Sequence, residues 1–115
     1  MTVTIYHNPA CSKSRQTLQL LRDRGVEPTI VEYLKTPPDA AALREILALL
    51  ELAPRGLMRK KEAAYAANGL ADDGLEEGQL INAMVADPIL IERPIVLASG
   101  KAAIGRPPET VLDIL

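Results

Sequence analysis

With 115 residues, 48% of them hydrophobic, three Tyr and neither Phe nor Trp, the chain has the length of one domain with an aliphatic core. A formal net charge of −2 and few aromatic side chains argue against a nucleic-acid-binding protein, which needs a basic surface and stacking platforms. A single cysteine excludes an internal disulfide, the first residues carry no basic region, and no apolar run approaches the ~20 residues of a membrane span, so a cytoplasmic location is expected.

The first third of the chain predicts a βαβ unit. Residues 2–6 alternate β-branched and apolar side chains, which indicates a buried strand. Residues 12–24 contain neither Pro nor Gly and are followed by Gly25, which predicts a helix that ends at a left-handed glycine. Residues 28–34 are rich in β-branched side chains and predict a second strand, joined to the first by the helix.

The middle of the chain predicts a helical insertion at about residues 39–87. Residues 36–39, Thr-Pro-Pro-Asp, are typical of a helix start with Thr36 as the cap and a proline at the first position. The next apolar residues are spaced as on one face of a helix: Leu43, Ile46, Leu47 and Leu50. Residues 54–87 carry further helix-like patches interrupted by glycines, and the clearest patch contains Leu80, Ile81, Met84 and Val85.

The last part of the chain predicts a β-hairpin and a final helix. Residues 95–98 and 102–104 are apolar and are separated by Ser99, Gly100 and Lys101. Residues 107–115 then predict a helix that covers the sheet. The order βαβ, helices, ββα is that of a thioredoxin-like, or glutaredoxin-like, α/β fold with a mixed four-stranded sheet. Residues 1–115 are therefore expected to form one such domain.

Cys11, the only cysteine, lies between the predicted first strand and first helix. Unpaired backbone N–H groups and the positive end of the helix dipole favour a thiolate there. A helix end lowers a thiol pKa by about one unit, so an active thiolate needs further help. The candidates by residue type are His7, Lys13, Ser14 and Arg15. The ordinary alternatives are a small buried hydrophobic side chain for Cys11 and a loop histidine for His7.

Two arginines directly precede prolines: Arg93 precedes Pro94, and Arg106 precedes Pro107. The residue before a proline is restricted to an extended backbone, so the backbone from which each of these side chains projects is rigid. Guanidinium groups bind tetrahedral oxyanions in bidentate fashion, and arginines near a thiolate would also lower its pKa. From their spacing alone, Arg93 and Arg106 are more simply explained as surface arginines beside turns. The basic residues 59–61, taken alone, are more simply explained as a solvated helix face. One His and one Cys predict no metal site.

Four motifs, in order, span the chain: residues 7–15 (HNPACSKSR), 57–60 (LMRK), 88–96 (PILIERPIV) and 105–107 (GRP). Together they resemble the glutathione- and glutaredoxin-dependent arsenate reductases, in their short form. The resemblance implies that the Cys11 thiolate attacks arsenate, or a similar oxyanion. It also implies that Arg59, Arg93 and Arg106 hold this oxyanion, and that the peptide bond before Pro94 is cis.

The resemblance further implies that His7 and Ser14 lower the pKa of Cys11 and that no cofactor is bound. Glutathione, as co-substrate, reduces the arsenic adduct, glutaredoxin removes the glutathione, and arsenite leaves. A chain without a resolving thiol needs an external one, so the single cysteine fits this scheme and excludes arsenate reductases that use several of their own cysteines.

Two other functions stay open from the sequence. One is a regulatory or binding module that docks on a protein partner, since transcriptional regulators that bind RNA polymerase share this fold. These regulators usually carry a Cys-X-X-Cys motif that begins at the position of Cys11. In this chain Ser14 stands at the position of the second cysteine. The other is a monothiol, glutathione-linked oxidoreductase that does not use arsenate.

Overall fold

The computed structural model describes residues 2–115, which divide into two compact units. The first unit joins the N-terminal part of the chain, up to Thr36, to Arg93–Leu115. The second unit is Pro37–Glu92, and it contains the segment for which the sequence predicts a helical insertion.

The first unit contains a four-stranded sheet in the order β2-β1-β3-β4. Its strands are β1 Val3–His7, β2 Thr29–Glu32, β3 Ile95–Ala98 and β4 Lys101–Ile104. β1 pairs in parallel with β2 and antiparallel with β3, and β3 pairs antiparallel with β4. The predicted mixed four-stranded sheet with helices is confirmed.

The central strand β1 leads directly into the segment that carries the cysteine. Its side chains alternate, so that Val3, Ile5 and His7 are buried while the residues between them are partly exposed. The strand extends one residue beyond the predicted end because His7 still pairs with Glu32 of β2. Val3 and Ile5 belong to a core that also contains Leu18, Leu21, Val96, Ala98, Ala103 and Val111.

Helix α1, Ser12–Asp23, ends at the predicted glycine. Gly25 has a φ of 77°, its N–H donates to Arg22 O over 3.0 Å, and the N–H of Val26 donates to Leu21 O over 2.9 Å. These two bonds form a Schellman motif, whose left-handed position favours glycine. The end of α1 is therefore determined locally, as the sequence indicates.

The chain closes the first unit with a hairpin and a 3₁₀ helix. Ser99 and Gly100, with φ of 52° and 74°, form the two-residue turn between β3 and β4, which confirms the predicted hairpin. Both central residues have positive φ, as a type I′ turn requires. The last helix, Pro108–Ile114, packs on α1 and β4, with Val111 fully buried.

The second unit is built from α2 Ala40–Leu50, α3 Ala63–Ala67, α4 Glu77–Ala86 and two 3₁₀ helices, Pro54–Leu57 and Pro88–Leu90. Helices α2 and α4 pack against each other. Their buried residues are Leu43, Ile46 and Leu47 on α2 and Leu80, Ile81 and Met84 on α4. The apolar spacing in the sequence therefore identifies the buried faces of both helices.

The predicted start of α2 at Thr36 is wrong. The N-cap is Asp39, whose Oδ1 accepts a hydrogen bond of 2.8 Å from the N–H of Ala42. Thr36 and Pro37 each precede a proline, and this position disfavours the helical conformation. The helix therefore begins after the second proline.

Replacing Asp39 by alanine is expected to destabilise the protein by about 1 kcal/mol, because the N–H of Ala42 loses its acceptor. Urea unfolding of the wild type, Asp39→Ala and Asp39→Asn measures the effect. Asparagine also caps helices and serves as the matched control. Equal stability of the alanine and asparagine variants would show that this cap does not contribute.

Candidate active site

Cys11 lies at the N-terminus of α1, at the end of the loop that follows β1. It occupies the N-cap position with extended backbone, and it is 8% exposed. Its N–H donates to Asn8 O over 3.0 Å, and the N–H of Ala10 donates to Asn8 Oδ1 over 3.0 Å. Asn8 therefore stabilises the loop through both its backbone and its side chain, and it keeps Cys11 at the end of the helix.

Ser14 joins the strand, the loop and the helix. Its side chain is fully buried, and its Oγ accepts a hydrogen bond of 3.0 Å from the N–H of Asn8. The same oxygen lies 2.6 Å from His7 Nδ1. The end of β1 and the first turn of α1 are thus linked through one hydroxyl group.

His7 favours the neutral form. Burial is the main cause of its lowered pKa, and the positive charges of Arg22 and Arg15 act in the same direction, while Glu32 opposes them. A neutral imidazole has one donor nitrogen and one acceptor nitrogen, and a hydroxyl group can bond with either. The hydrogen bond with Ser14 is therefore kept without a charge on the ring.

The lowered pKa of His7 predicts a loss of stability in mild acid. The folded-state pKa lies below the reference value of 6.5, so the unfolded chain binds more protons between the two values. The stabilising contribution is present above pH 6.5 and is lost as the pH falls through the folded-state pKa. We expect the free energy of unfolding to fall between pH 7.5 and pH 5, and to fall less in His7→Gln. Identical slopes in urea titrations of the two proteins would contradict this assignment.

The guanidinium group of Arg106 reaches the thiol. Arg106 Nη2 donates towards Cys11 Sγ over 3.6 Å, and Arg106 Nε donates to Arg93 O over 2.8 Å. The Arg93–Pro94 peptide bond is cis, and the N–H of Gly105 donates to Pro94 O over 2.9 Å. The start of β3 and the end of β4 thus together place a positive charge beside the sulfur.

The pKa of Cys11 is lowered overall. Burial is the largest influence and raises the pKa, but the backbone N–H of Ser14, the charge of Arg93, the backbone N–H of Lys13 and the charge of Arg106 together outweigh it. Ser14 and Lys13 therefore act on the sulfur through the backbone at the helix N-terminus. The arrangement can supply a thiolate next to cationic N–H donors, which is the requirement for nucleophilic attack on an anion.

Two other residues named from the sequence have structural contacts of their own. Arg15 donates from Nη1 to Pro9 O over 2.8 Å and so braces the loop before Cys11. In the second unit, Arg59 is partly buried, its Nη2 lies 2.7 Å from Glu62 Oε1, and its N–H donates to Leu90 O over 2.7 Å. The Arg59 guanidinium is therefore fixed by a carboxylate.

Sequence reasoning missed three residues that shape this site: Asn8, Thr17 and Gly105. The Asn8-Pro9 pair is a turn signal, so the role of Asn8 could have been found. Gly105 lies in the quoted motif 105–107 without a role of its own, and Thr17 lies outside every quoted motif, because their contact joins α1 to the end of β4.

Within residues 2–115, no group of three or more His, Cys, Asp or Glu side chains is arranged to hold a metal ion. In the same part of the chain, no helix has both the length and the apolar character needed to cross a membrane.

The family follows from comparison with known proteins. Residues 6–114 match the model of the ArsC family. The protein YfgD of Escherichia coli K12 is 60% identical over 114 residues, covering 98% of this chain and 96% of that protein. The arsenate reductase of Rhizobium meliloti is 50% identical over 115 residues, covering 100% of this chain and 82% of that protein. The structure of an arsenate reductase from Vibrio cholerae has a TM-score of 0.98 at 48% identity, covering 100% of this chain and 98% of that chain. This chain therefore belongs to the ArsC family and has its thioredoxin-like fold.

Proposed function

We propose that this protein is an oxidoreductase that reduces arsenate to arsenite, with Cys11 as the nucleophile. The observation that carries the proposal is the Cys11 thiol, with a lowered pKa and the Arg106 guanidinium 3.6 Å from its sulfur. Arsenate is a tetrahedral oxyanion, and guanidinium groups bind such anions through charge-assisted hydrogen bonds. The same charge thus favours both the thiolate and the anion that it attacks. The relatives named arsenate reductase support this substrate.

In the proposed reaction, the Cys11 thiolate forms a sulfur–arsenic bond, and one arsenate oxygen leaves, after protonation, as water. The thiol of glutathione displaces a second arsenic oxygen as water and so forms a second sulfur–arsenic bond. A glutaredoxin thiol then attacks the glutathione sulfur. The new disulfide forms as two electrons pass to arsenic, and hydrolysis of the sulfur–arsenic bond releases arsenite and Cys11. One arsenate and two external thiols thus give one arsenite, one disulfide and one water. The chain's single cysteine supports the use of external thiols.

Three arginines are assigned to the oxyanion in this proposal. Arg93 and Arg106 are supported by their electrostatic effect on Cys11. Arg59 is supported by the family motif, and its contact with Glu62 keeps its guanidinium in one orientation. Pro94 follows Arg93 and receives the N–H of Gly105 at its carbonyl oxygen. Arg93 and Arg106, both in the first unit, would supply positive charge for the arsenate dianion, whereas Arg59 is assigned on the family motif.

His7 and Ser14 are assigned to the support of the thiol. The backbone N–H of Ser14 lowers the pKa of Cys11, while its side chain bonds with His7. His7 therefore acts by holding the first turn of α1 in position. No cofactor is part of the proposal, and a glutathione-containing cytoplasm is the compartment that the reaction needs.

Steady-state assays with alternative reductants test this function. NADPH oxidation is followed with arsenate in the presence of glutathione, glutaredoxin and glutathione reductase, and separately with thioredoxin and thioredoxin reductase. We expect turnover in the first mixture, its loss when either glutathione or glutaredoxin is omitted, and little turnover in the second. Turnover with thioredoxin alone would overturn the choice of reductant, and absence of arsenate turnover in both mixtures would overturn the function.

A further inference from the structure

We infer that Gly105 and Thr17 form a positioning contact that holds the Arg106 guanidinium against the Cys11 sulfur. The inference deepens the proposed function and rests on it, because it concerns the arginine assigned to the thiol and the oxyanion. Neither Gly105 nor Thr17 belongs to the motif residues to which the family resemblance assigns a chemical role. The inference is carried by the packing around Gly105.

Gly105 is needed for space. It is not among the glycines with positive φ, which are Gly25, Gly69 and Gly100. A Cβ atom at Gly105 would lie 2.5 Å from Thr17 Oγ1, 3.1 Å from Thr17 Cγ2 and 2.8 Å from Pro94 Cγ. Ordinary contacts to a Cβ lie at 3.4–4 Å, so the end of β4 approaches α1 and Pro94 more closely than any side chain allows.

The neighbours of Gly105 cannot easily move away. Thr17 is fully buried, and its hydroxyl donates to Lys13 O over 2.8 Å. Pro94 is also buried, and its carbonyl oxygen accepts the N–H of Gly105 over 2.9 Å. The backbone at Gly105 is therefore fixed on one side by a helix and on the other by a proline ring.

Because Arg106 directly follows Gly105, this fixed backbone determines the position of the Arg106 Cα atom. Its guanidinium bonds with Arg93 O over 2.8 Å and reaches Cys11 Sγ over 3.6 Å, so both ends of the group are engaged. Relief of a 2.5 Å contact to an ordinary one requires a displacement of about 1 Å, and hydrogen bonds weaken steeply with such changes. A side chain at Gly105 would thus move the guanidinium off the sulfur.

Thr17 also connects this contact to the other side of the thiol. Its hydroxyl holds the carbonyl of Lys13, and the backbone N–H of Lys13 is one of the groups that lower the pKa of Cys11. One buried threonine therefore touches both the helix turn that faces the sulfur and the strand end that carries Arg106.

The test uses Gly105→Ala and the double variant Thr17→Ala with Gly105→Ala. The double variant removes the contacts at 2.5 and 3.1 Å and leaves the one with Pro94 at 2.8 Å. Gly100→Ala is the matched control, because Gly100 has a φ of 74° and nothing within 4 Å of an added Cβ. This control strains the same hairpin without touching Arg106. Alkylation of Cys11 by iodoacetamide is measured against pH, without arsenate, and arsenate KM and kcat are measured separately.

We expect Gly105→Ala to raise the apparent pKa of Cys11 and to slow alkylation below that pKa by about threefold or more. Arsenate KM is expected to rise, the double variant to recover part of both changes, and Gly100→Ala to keep the wild-type profile. A folded Gly105→Ala protein with the wild-type profile would overturn the inference, as would an equal shift in Gly100→Ala.

If Gly105→Ala does not fold, the double variant is compared with Thr17→Ala, because its remaining contact with Pro94 predicts a higher pKa of Cys11 than in Thr17→Ala alone. The same alkylation profile in the double variant and in Thr17→Ala would overturn the inference. Failure of arsenate turnover in every protein, with the alkylation profiles as expected, would overturn the proposed function and leave the positioning contact supported.

Discussion

Replacing Cys11 by serine is expected to lower arsenate turnover by about 10³-fold or more, which is the effect of removing a catalytic nucleophile. A serine hydroxyl is not ionised near neutral pH, and the backbone N–H groups and arginines that lower the pKa of Cys11 cannot compensate for this difference. Serine replaces the sulfur by a smaller oxygen and keeps the backbone hydrogen bonds of Cys11 with Asn8 and Arg15. The measurement is steady-state arsenate reduction with glutathione and glutaredoxin.

The same replacement is expected to leave the protein as stable as the wild type, or more stable by up to about 1 kcal/mol. Cys11 occupies the N-cap of α1, where its sulfur is only a weak acceptor for the N–H groups of Lys13 and Ser14, whereas serine is a preferred N-cap residue. Urea unfolding separates this gain from the loss of activity. Ser12→Ala, at the exposed neighbouring position, is the activity control. Turnover by Cys11→Ser within tenfold of the wild type would contradict the assignment of the nucleophile.

Replacing Arg106 by glutamine is expected to lower kcat/KM for arsenate by about 10²-fold. A hydrogen bond to a charged group contributes about 1.5–3 kcal/mol, which corresponds to roughly tenfold to more than 10²-fold. The loss of the positive charge also raises the pKa of Cys11 towards the reference value of 9.0, so less thiolate is present near neutral pH. Both effects reduce the rate of attack on arsenate.

Arg44→Gln is the matched control for Arg106→Gln, because it removes the same charge from an exposed arginine of the second unit. Its contact with Glu77 is long, at 4.0 Å, and such surface pairs contribute little. We expect Arg44→Gln to keep the wild-type kcat/KM and alkylation profile. Similar losses in the two variants would indicate a general effect of net charge and would exclude a specific role for Arg106.

The parts of the fold that local chemistry determines could be predicted from the sequence. Gly25 ends α1 through its left-handed conformation, and Ser99 and Gly100 form the turn that places β3 beside β4. The start of α2 lies at Asp39 and not at Thr36, because Thr36 and Pro37 each precede a proline, which disfavours the helical conformation.

The candidate site could be predicted only in part. The position of Cys11 follows from the order of strand, loop and helix. Its proximity to the N–H groups of the first helical turn could therefore be predicted from neighbouring residues alone. Arg106 lies 95 residues further along the chain, and only the folded structure shows its guanidinium at the sulfur. The close approach at Gly105 depends on the packing of Thr17 and Pro94, which no spacing in the sequence reveals.

Quantification of arsenite is the most direct test of the central claim, that the Cys11 thiolate of this protein reduces arsenate. Wild-type protein is incubated with arsenate, glutathione and glutaredoxin at neutral pH, and the two arsenic species are separated and measured over time. We expect many equivalents of arsenite per protein, with one disulfide formed for each. Absence of arsenite from a folded protein whose Cys11 is alkylated rapidly at neutral pH would contradict the account.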